Sequence, residues 1–397
     1  MGSETLRIVH LGHVPVPAWH PEAAIMGPQH QGRWVLNHAL AQKAAGADVE
    51  IIAQAHKASR DFDCEIEGVL VHFLRTYHPY RHFTFYAIDS FRMSRLVRQL
   101  HPDIVHAHGT EAAYGWAATK SKLPFCITAQ GLFFQIIPTL GRPPNWNERF
   151  LRWGENRVWK RTNHAIAKSD YVREALAATY PHLDIAEIPN TYEPSLDAPL
   201  VERRSHDIAF VGTVDARKGV HILVNAMRAV VGQIPDVRLH LVGNPDENAA
   251  AGYAVEQIGA LRALLGDRLV LHGKIPSKTL FAILDQCEIL VAPSLEEMFG
   301  NQLVEGLMRG CHGVVTEGTA MAENVRRFGN GTVVPQRDPS ALATAIIQHL
   351  SVPPTVAEQE SARATIRARM SPEVVARHHF AFYSSILSSS PVNRKIL

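Results

Sequence analysis

Short apolar runs alternate along this chain with stretches in which apolar residues recur every three or four positions. Residues 6–11 form the first run, and a Pro- and His-rich loop follows to residue 31. A helical pattern covers 33–45, Gly46 ends it, and 49–53 is again apolar. Strand, glycine-containing loop, helix and strand open a doubly wound α/β domain. Further buried-strand runs occupy 69–74, 104–107, 125–129 and 164–168, with a helix over 170–178. After a polar stretch at 192–205 holding Pro194 and Pro199, the pattern restarts. Runs at 208–211, 239–243, 269–273, 289–292 and 314–316 alternate with helical segments such as 221–231 and 278–287. The expected organisation is therefore two Rossmann-like domains. The first covers 1–193, a linker 194–205 follows, and the second covers 206–371. A last helix at 372–387 returns to the first domain, and 388–397 fray.

Length agrees with this division, since 397 residues exceed one ordinary core and suit two domains of about 190. Hydrophobic residues make up 46% and charged residues 20%, as in globular proteins. With 40 basic and 38 acidic residues, the balance gives no reason to expect nucleic acid. The 22 histidines make surface charge sensitive near neutrality or serve as ordinary surface and core residues. Cys64, Cys126, Cys287 and Cys311 lack metal or disulfide spacing and fit a reducing compartment. No apolar run approaches the ~18 residues of a membrane span, and no signal peptide is expected. Leu6 stands where myristoylation needs Ser or Thr. A cytoplasmic protein is expected, either free or in peripheral contact with the inner face of a membrane.

Candidate chemistry concentrates in V-A-P-S-L-E-E-M-F-G-N-Q-L-V-E-G, residues 291–306. Pro293 and Ser294 stop a strand, a loop carries Glu296 and Glu297, and Phe299 and Gly300 turn into a helix that starts near Asn301 and carries Glu305. Carboxylates accept hydrogen bonds from sugar hydroxyls, while a helix start binds phosphate. An ordinary alternative makes Glu297 a helix cap and Glu305 a solvated residue. Gly212-Thr213-Val214-Asp215-Ala216-Arg217-Lys218-Gly219 is a second strand-to-helix loop. There Lys218 is either a solvated lysine or a phosphate ligand, and two glycines beside it favour phosphate. No G-x-G-x-x-G or Walker A sequence occurs. Asp61-Phe62-Asp63 is read as a loop element rather than a metal site. His78 and His82 flank Pro79, which breaks the helix that metal spacing would need. A helix at 147–161 with Arg149, Arg152, Arg157, Lys160 and Arg161 among Phe150, Trp153 and Trp159 is either a basic packed helix or a surface for anionic lipid.

The 291–306 string resembles the E-x7-E signature of glycosyltransferase family 4, whose members have the GT-B fold of two Rossmann-like domains facing a central cleft. Further matches are D-I-V-H-A-H-G at 103–109, Ser169, Pro189-Asn190, and 212–219, which resembles G-R-x-x-x-x-K-G. The resemblance implies a retaining, metal-independent hexosyltransferase with no cofactor, using a nucleotide sugar, UDP-linked first and GDP-linked next. It implies a glycan or lipid-linked acceptor and a role in surface polysaccharide or lipopolysaccharide assembly. Glu305 would hold the ribose, Glu297 the sugar, and Lys218 with Phe299, Gly300 and Asn301 the diphosphate. Gly212 and Gly32 would approach the phosphates, with Gly27 a further counterpart, and Lys274 and Ile275 would meet the base. His108 and Gln130 would serve the transferred sugar. Departures are Thr213 for Arg, with Arg217 as the substitute cation, Gln130 for His, the missing Gly-Gly pairs, and Glu317 to Glu323 in place of Gly-Gly-x-x-E, where Glu323 survives. These departures keep two other readings open: a degenerate GT-B protein that binds a nucleotide sugar or a partner, and a nucleotide-sugar epimerase.

Overall fold

The computed structural model describes residues 5–26, 32–76, 86–110, 112–140, 142–201, 203, 206–244 and 252–389. Gly27, His78, Pro79, His82 and the tail from residue 390 lie outside the described residues. The chain divides into two compact units. Unit one comprises Met1–Phe134, Pro144–Thr191 and Met370–Leu397, and unit two comprises Gln135–Pro143 and Tyr192–Arg369.

Unit one holds eight strands: β1 (Arg7–Leu11), β2 (Asp48–Ala55), β3 (Phe62–Ile66), β4 (Val69–Arg75), β5 (Ile104–His108), β6 (Phe125–Thr128), β7 (His164–Ala167) and β8 (Asp184–Glu187). Their order is β3-β4-β2-β1-β5-β6-β7-β8, parallel except for β3 on β4. Unit two holds β9 (Asp207–Val211), β10 (Arg238–Val242), β11 (Leu269–Gly273), β12 (Ile289–Ala292), β13 (His312–Thr316) and β14 (Gly331–Val334) in the order β11-β10-β9-β12-β13-β14, all parallel. The central strands β12 and β5 are buried along their whole length; β12 is a continuous apolar run, as helices on both faces of a sheet favour, whereas β5 carries His106 and His108 into the core. Strand order reverses between β1 and β5 and again between β9 and β12, so the loops after these strands occupy switch points where α/β sheets bind ligands.

Several expectations needed correction. The 12–31 loop contains a short helix, Pro21–Met26, whose Glu22 is anchored by the Ser59 backbone N–H at 2.8 Å. Asp63 lies on edge strand β3, not in a loop, because Phe62 and Cys64 pair with β4. Its carboxylate meets His72 at 2.8 Å, while Asp61 accepts from the Arg75 backbone N–H at 2.8 Å and pairs with Arg92. Both carboxylates thus serve the edge of the sheet. The helix Pro372–Ser389 packs on Trp34–Ala44 within unit one.

Candidate functional site

Unit two places the 212–219 loop after β9 and the 293–300 loop after β12, side by side at the switch point. Their approach depends on Gly219, which starts the helix Val220–Gln233 at φ +72°. A Cβ there would lie 1.9 Å from the Pro293 carbonyl oxygen. Gly300 is the second such position. It precedes the helix Asn301–Met308 at φ +82°, and a Cβ would lie 2.4 Å from Met321 Cγ. No side chain caps this helix start.

The packed loops bring Lys218 onto Glu297 in an ion pair, both side chains less than a fifth exposed. Gln302 Nε2 donates to the same carboxylate oxygen at 3.3 Å. Burial alone would raise the Glu297 carboxyl, but Lys218 and Arg217 with these hydrogen bonds outweigh it and hold it at about 2. Arg217, the expected substitute cation, lies against Glu296, with Nη1 3.3 Å from its carbonyl and 3.8 Å from its carboxylate. Thr213 donates its hydroxyl to Asp215 at 2.5 Å, and Asp215 also accepts the Lys218 backbone N–H at 2.7 Å. Asp215, Gln302 and Asn324, whose Nδ2 holds the Phe299 carbonyl at 2.7 Å, were missed in the sequence. Asp215 has a local signal: an acid three residues before a backbone N–H it accepts is a turn signature. Gln302 and Asn324 carry none.

Glu305 sits one turn into Asn301–Met308, and no described residue gives its carboxylate a hydrogen bond or an ion pair. Burial first, and the charge of Glu193 second, push its carboxyl up to about 7. Gly212, Thr213, Arg217, Lys218, Glu297, Phe299, Gly300, Asn301 and Glu305 therefore belong to one constellation around β9 and β12. Lys274 and Ile275 follow β11, two strands away, with Lys274 exposed and Ile275 half-buried. Glu323 pairs with Arg327 at 3.0 Å within its own helix.

In unit one, His108 ends β5 and is buried, and Gln130 follows β6 and is half-buried. Gln130 Nε2 is 3.4 Å from His108 Nδ1, and Lys168 Nζ donates to Gln130 Oε1 at 2.9 Å. Burial, with neighbouring imidazoles second, holds His108 well below its ordinary value. Gly32 lies two residues before the helix Trp34–Ala44, against the Trp34 ring. The helix Trp146–Trp159 starts at a capping box of Asn145 and Glu148. Trp146 and Trp153 are exposed, and Trp153 packs under the Arg157 guanidinium at 4.1 Å. Trp153, Asn156, Arg157, Lys160 and Arg161 line a surface cavity of about 390 Å³. Among the described residues no helix is long and apolar enough to cross a membrane.

Comparison with known proteins bears on this architecture. A curated relative, the phosphatidyl-myo-inositol mannosyltransferase of Mycolicibacterium smegmatis, is 31% identical over 231 residues, covering 55% of this chain and 54% of its own. The chain thus spans about half the length of this relative. Sucrose-phosphate synthase from Thermosynechococcus elongatus superposes with a TM-score of 0.78 at 20% identity, covering 97% of this chain and 100% of that one. An Anabaena protein solved in complex with UDP and glucose superposes with a TM-score of 0.67 at 15% identity, over 97% and 100% of the two chains. These likenesses identify the fold as GT-B. The model described as Glycosyltransferase Family 4 matches residues 31–196 and that described as Glycosyl transferases group 1 matches 205–351, so the two span most of the chain, which belongs to this glycosyltransferase family.

Proposed function

We propose that this chain is a retaining, metal-independent glycosyltransferase that moves a hexose from a nucleotide sugar to a glycan or lipid-linked acceptor. The observation that carries the reading is the buried Lys218–Glu297 pair beside an uncapped helix start, with the unpartnered carboxylate of Glu305 on the same helix. A diphosphate at the helix start would draw Lys218 toward itself, and Glu297 would turn to the sugar hydroxyls. Glu305 would accept the ribose hydroxyls, which gives its half-buried carboxylate the partners it lacks. Fixed cationic and backbone donors would stabilise the leaving diphosphate, so the charge of a metal is not required. For retention, the acceptor oxygen attacks the anomeric carbon on the face from which the diphosphate departs. The carbon–phosphate-oxygen bond breaks, and the departing phosphate oxygen takes the acceptor proton.

UDP is the first expectation for the donor and GDP the next. The name of the mycolicibacterial relative speaks for a phospholipid-linked acceptor, and lipopolysaccharide or surface-polysaccharide assembly is the corresponding role. Exposed Trp146 and Trp153 with the neighbouring Arg157, Lys160 and Arg161 suit peripheral contact with an anionic lipid surface from the cytoplasmic side.

Thermal stability with UDP, GDP, ADP and CMP, each with and without EDTA, tests the donor site in wild type and Glu305→Ala. A nucleotide at 100 times its dissociation constant adds about 2.7 kcal/mol. A shift in EDTA for wild type but not for the variant supports the reading and names the base. No shift with any nucleotide, together with no transfer to a crude lipid or glycan acceptor, removes it in favour of a non-catalytic scaffold.

A further inference from the structure

Unit one contains a polar core that its sheet register explains. His106 and His108 stand two apart on β5 and share a face, and His10 on β1 is the register partner of His106. Two helices cover this face, each with an i, i+4 pair of polar residues: His38 and Gln42 on Trp34–Ala44, and His379 and Tyr383 on Pro372–Ser389. All seven side chains are buried. Ring centroids of His106 and His108 are 4.2 Å apart, and those of His10 and His108 5.1 Å.

The hydrogen bonds of this core run in one direction, and the chemistry of the first residue fixes it. Lys168 can only donate, so its 2.9 Å contact sets Gln130 with the oxygen toward the ammonium and the amide nitrogen toward His108. That nitrogen donates to His108 Nδ1 at 3.4 Å, the longest link. His108 must then carry its proton on Nε2, which faces His10 Nδ1 at 2.9 Å. His10 in turn donates from Nε2 to Gln42 Oε1 at 2.8 Å. Gln42 Nε2 donates to the Tyr383 hydroxyl at 3.1 Å, and that hydroxyl donates to His106 Nδ1 at 2.6 Å. His106 Nε2 finally donates to Thr128 Oγ1 at 2.6 Å, on β6, two residues before Gln130. Each link pairs one donor with one acceptor, which makes all three imidazoles neutral Nε2–H tautomers.

We propose that these eight residues form one unidirectional hydrogen-bond chain that positions Gln130, with His10, Gln42, His106 and Tyr383 as positioning residues for sugar transfer. The role in transfer rests on the reading under Proposed function; the direction of the chain does not. Gln130 is the half-buried outlet. Its oxygen is committed to Lys168 and one N–H to His108, so the remaining N–H is the group it presents to a substrate. A cation at the head and aligned donors behind it polarise that N–H and strengthen it as a donor. Gln130 then acts as an oriented donor to a sugar hydroxyl oxygen. The nitrogens of His10, His106 and His108 lie close enough to suggest a metal site. In the chain, however, each Nδ1 lone pair accepts a hydrogen bond and each Nε2 holds a proton, which leaves no lone pair for an ion.

Nitrogen-15 spectra of the full chain with labelled histidine test the proposal, with signals assigned from single-histidine variants. At pH 7, wild type should show His10, His106 and His108 as neutral Nε2–H tautomers, unchanged by zinc or EDTA. Gln130→Glu puts a pure acceptor at the outlet, so His108 should switch to the Nδ1–H tautomer and His10 should follow. A merely structural core would keep its tautomers. Tyr383→Phe should release His106 into a mixture and lower kcat for transfer about fivefold, the weight of one neutral hydrogen bond. Its nucleotide-induced thermal shift should keep the wild-type size, because the donor residues are in unit two. An Nδ1–H ring in wild type, an unchanged His108 in Gln130→Glu, or zinc binding to the three rings overturns the chain. Failure of nucleotides to shift wild type overturns the glycosyl-transfer reading and leaves the tautomer result standing.

Discussion

At its switch point unit two keeps Lys218 and Glu297 charged, largely buried and paired, whereas unit one keeps His10, His38, His106, His108 and His379 buried and neutral. Both arrangements avoid an uncompensated charge in a low-dielectric core. They differ in what a ligand can do. A paired ammonium and carboxylate can exchange partners, so on the proposed function Lys218 and Glu297 would rearrange when a phosphate or sugar arrives. A row of neutral imidazoles whose protons are already assigned has no charge to give and orients what lies at its end. On the proposed function, electrostatic stabilisation would reside in unit two, and geometry in unit one.

Acid should break this comparison most strongly. Burial holds His10 at about 4 and His38 at about 3, and keeps His106, His108 and His379 well below 6.5. The unfolded chain binds these protons near 6.5, so stability is full above that pH and is lost as pH falls below it. Each imidazole contributes about 1.4 kcal/mol per pH unit below 6.5. Five together should cost unit one several kcal/mol at pH 5.5. Hydrogen exchange read by mass spectrometry should show β1 and β5 losing protection between pH 7 and 5.5 while β9 and β12 keep theirs.

Lys218→Met removes the cation but keeps the stem. Loss of a preorganised charge at a leaving group costs about 100- to 1000-fold in kcat. The Glu297 carboxylate, left buried without its partner, should lower the melting temperature as well. Adding Glu297→Gln should restore much of the stability and none of the turnover. Recovery of turnover in the double variant would mean that the pair is a structural clasp.

Next in size is Glu305. Its carboxyl is raised to about 7 by burial and by Glu193, so the folded chain holds a proton there that the unfolded chain releases near 4.5. Its contribution is favourable at low pH and is lost as pH rises through 7, opposite in sign to the imidazoles of unit one. Glu305→Gln should therefore stabilise unit two at pH 8 by about 1–3 kcal/mol and flatten its pH dependence. In wild type, nucleotide affinity should rise with pH up to about 7, because ribose hydroxyls donate to the ionised form. Calorimetric titration from pH 5.5 to 8 reads both effects.

How much of this was legible in the sequence follows from the range of each interaction. β12 runs from 289 to 292 as its apolar pattern reads, because a central parallel strand is an unbroken apolar run, and the edge strand β11 was legible because its own sequence, Leu269 to Gly273, is mostly apolar. The edge strands β3 and β8 were missed, since one-sided burial leaves only a weak alternation and β8 is just four residues long. Lys218, Glu297 and Glu305 stood out because each lies in a strand–loop–helix junction. The partners that orient them did not: Gln302 and Asn324 are helix residues whose role comes from which loop packs beside them. His10 meets His108 from 98 residues away, Tyr383 meets His106 from 277 away, and Gln42 links His10 to Tyr383 across 341. No local pattern encodes that register.

Asp215 offers the finest test of how unit two is built. Its carboxylate accepts the Thr213 hydroxyl on one oxygen and the Lys218 backbone N–H on the other, so it sets the loop that aims the Lys218 side chain. The residue is buried, and neither contact needs a negative charge. Asp215→Asn keeps one acceptor oxygen and turns the other into an N–H. If the amide oxygen stays on the Lys218 N–H, the Thr213 hydroxyl must rotate to accept. Such a swap costs about 1 kcal/mol, one neutral hydrogen bond. Nucleotide affinity should then fall at most about fivefold while Glu297 stays ionised at neutral pH. Asp215→Ala should cost more, because it leaves a loop N–H and a hydroxyl without their acceptor. If Asn and Ala weaken nucleotide binding equally, the carboxylate charge is what the loop requires. Unit two would then depend on a second buried charge, and its contrast with the neutral core of unit one would be wider still.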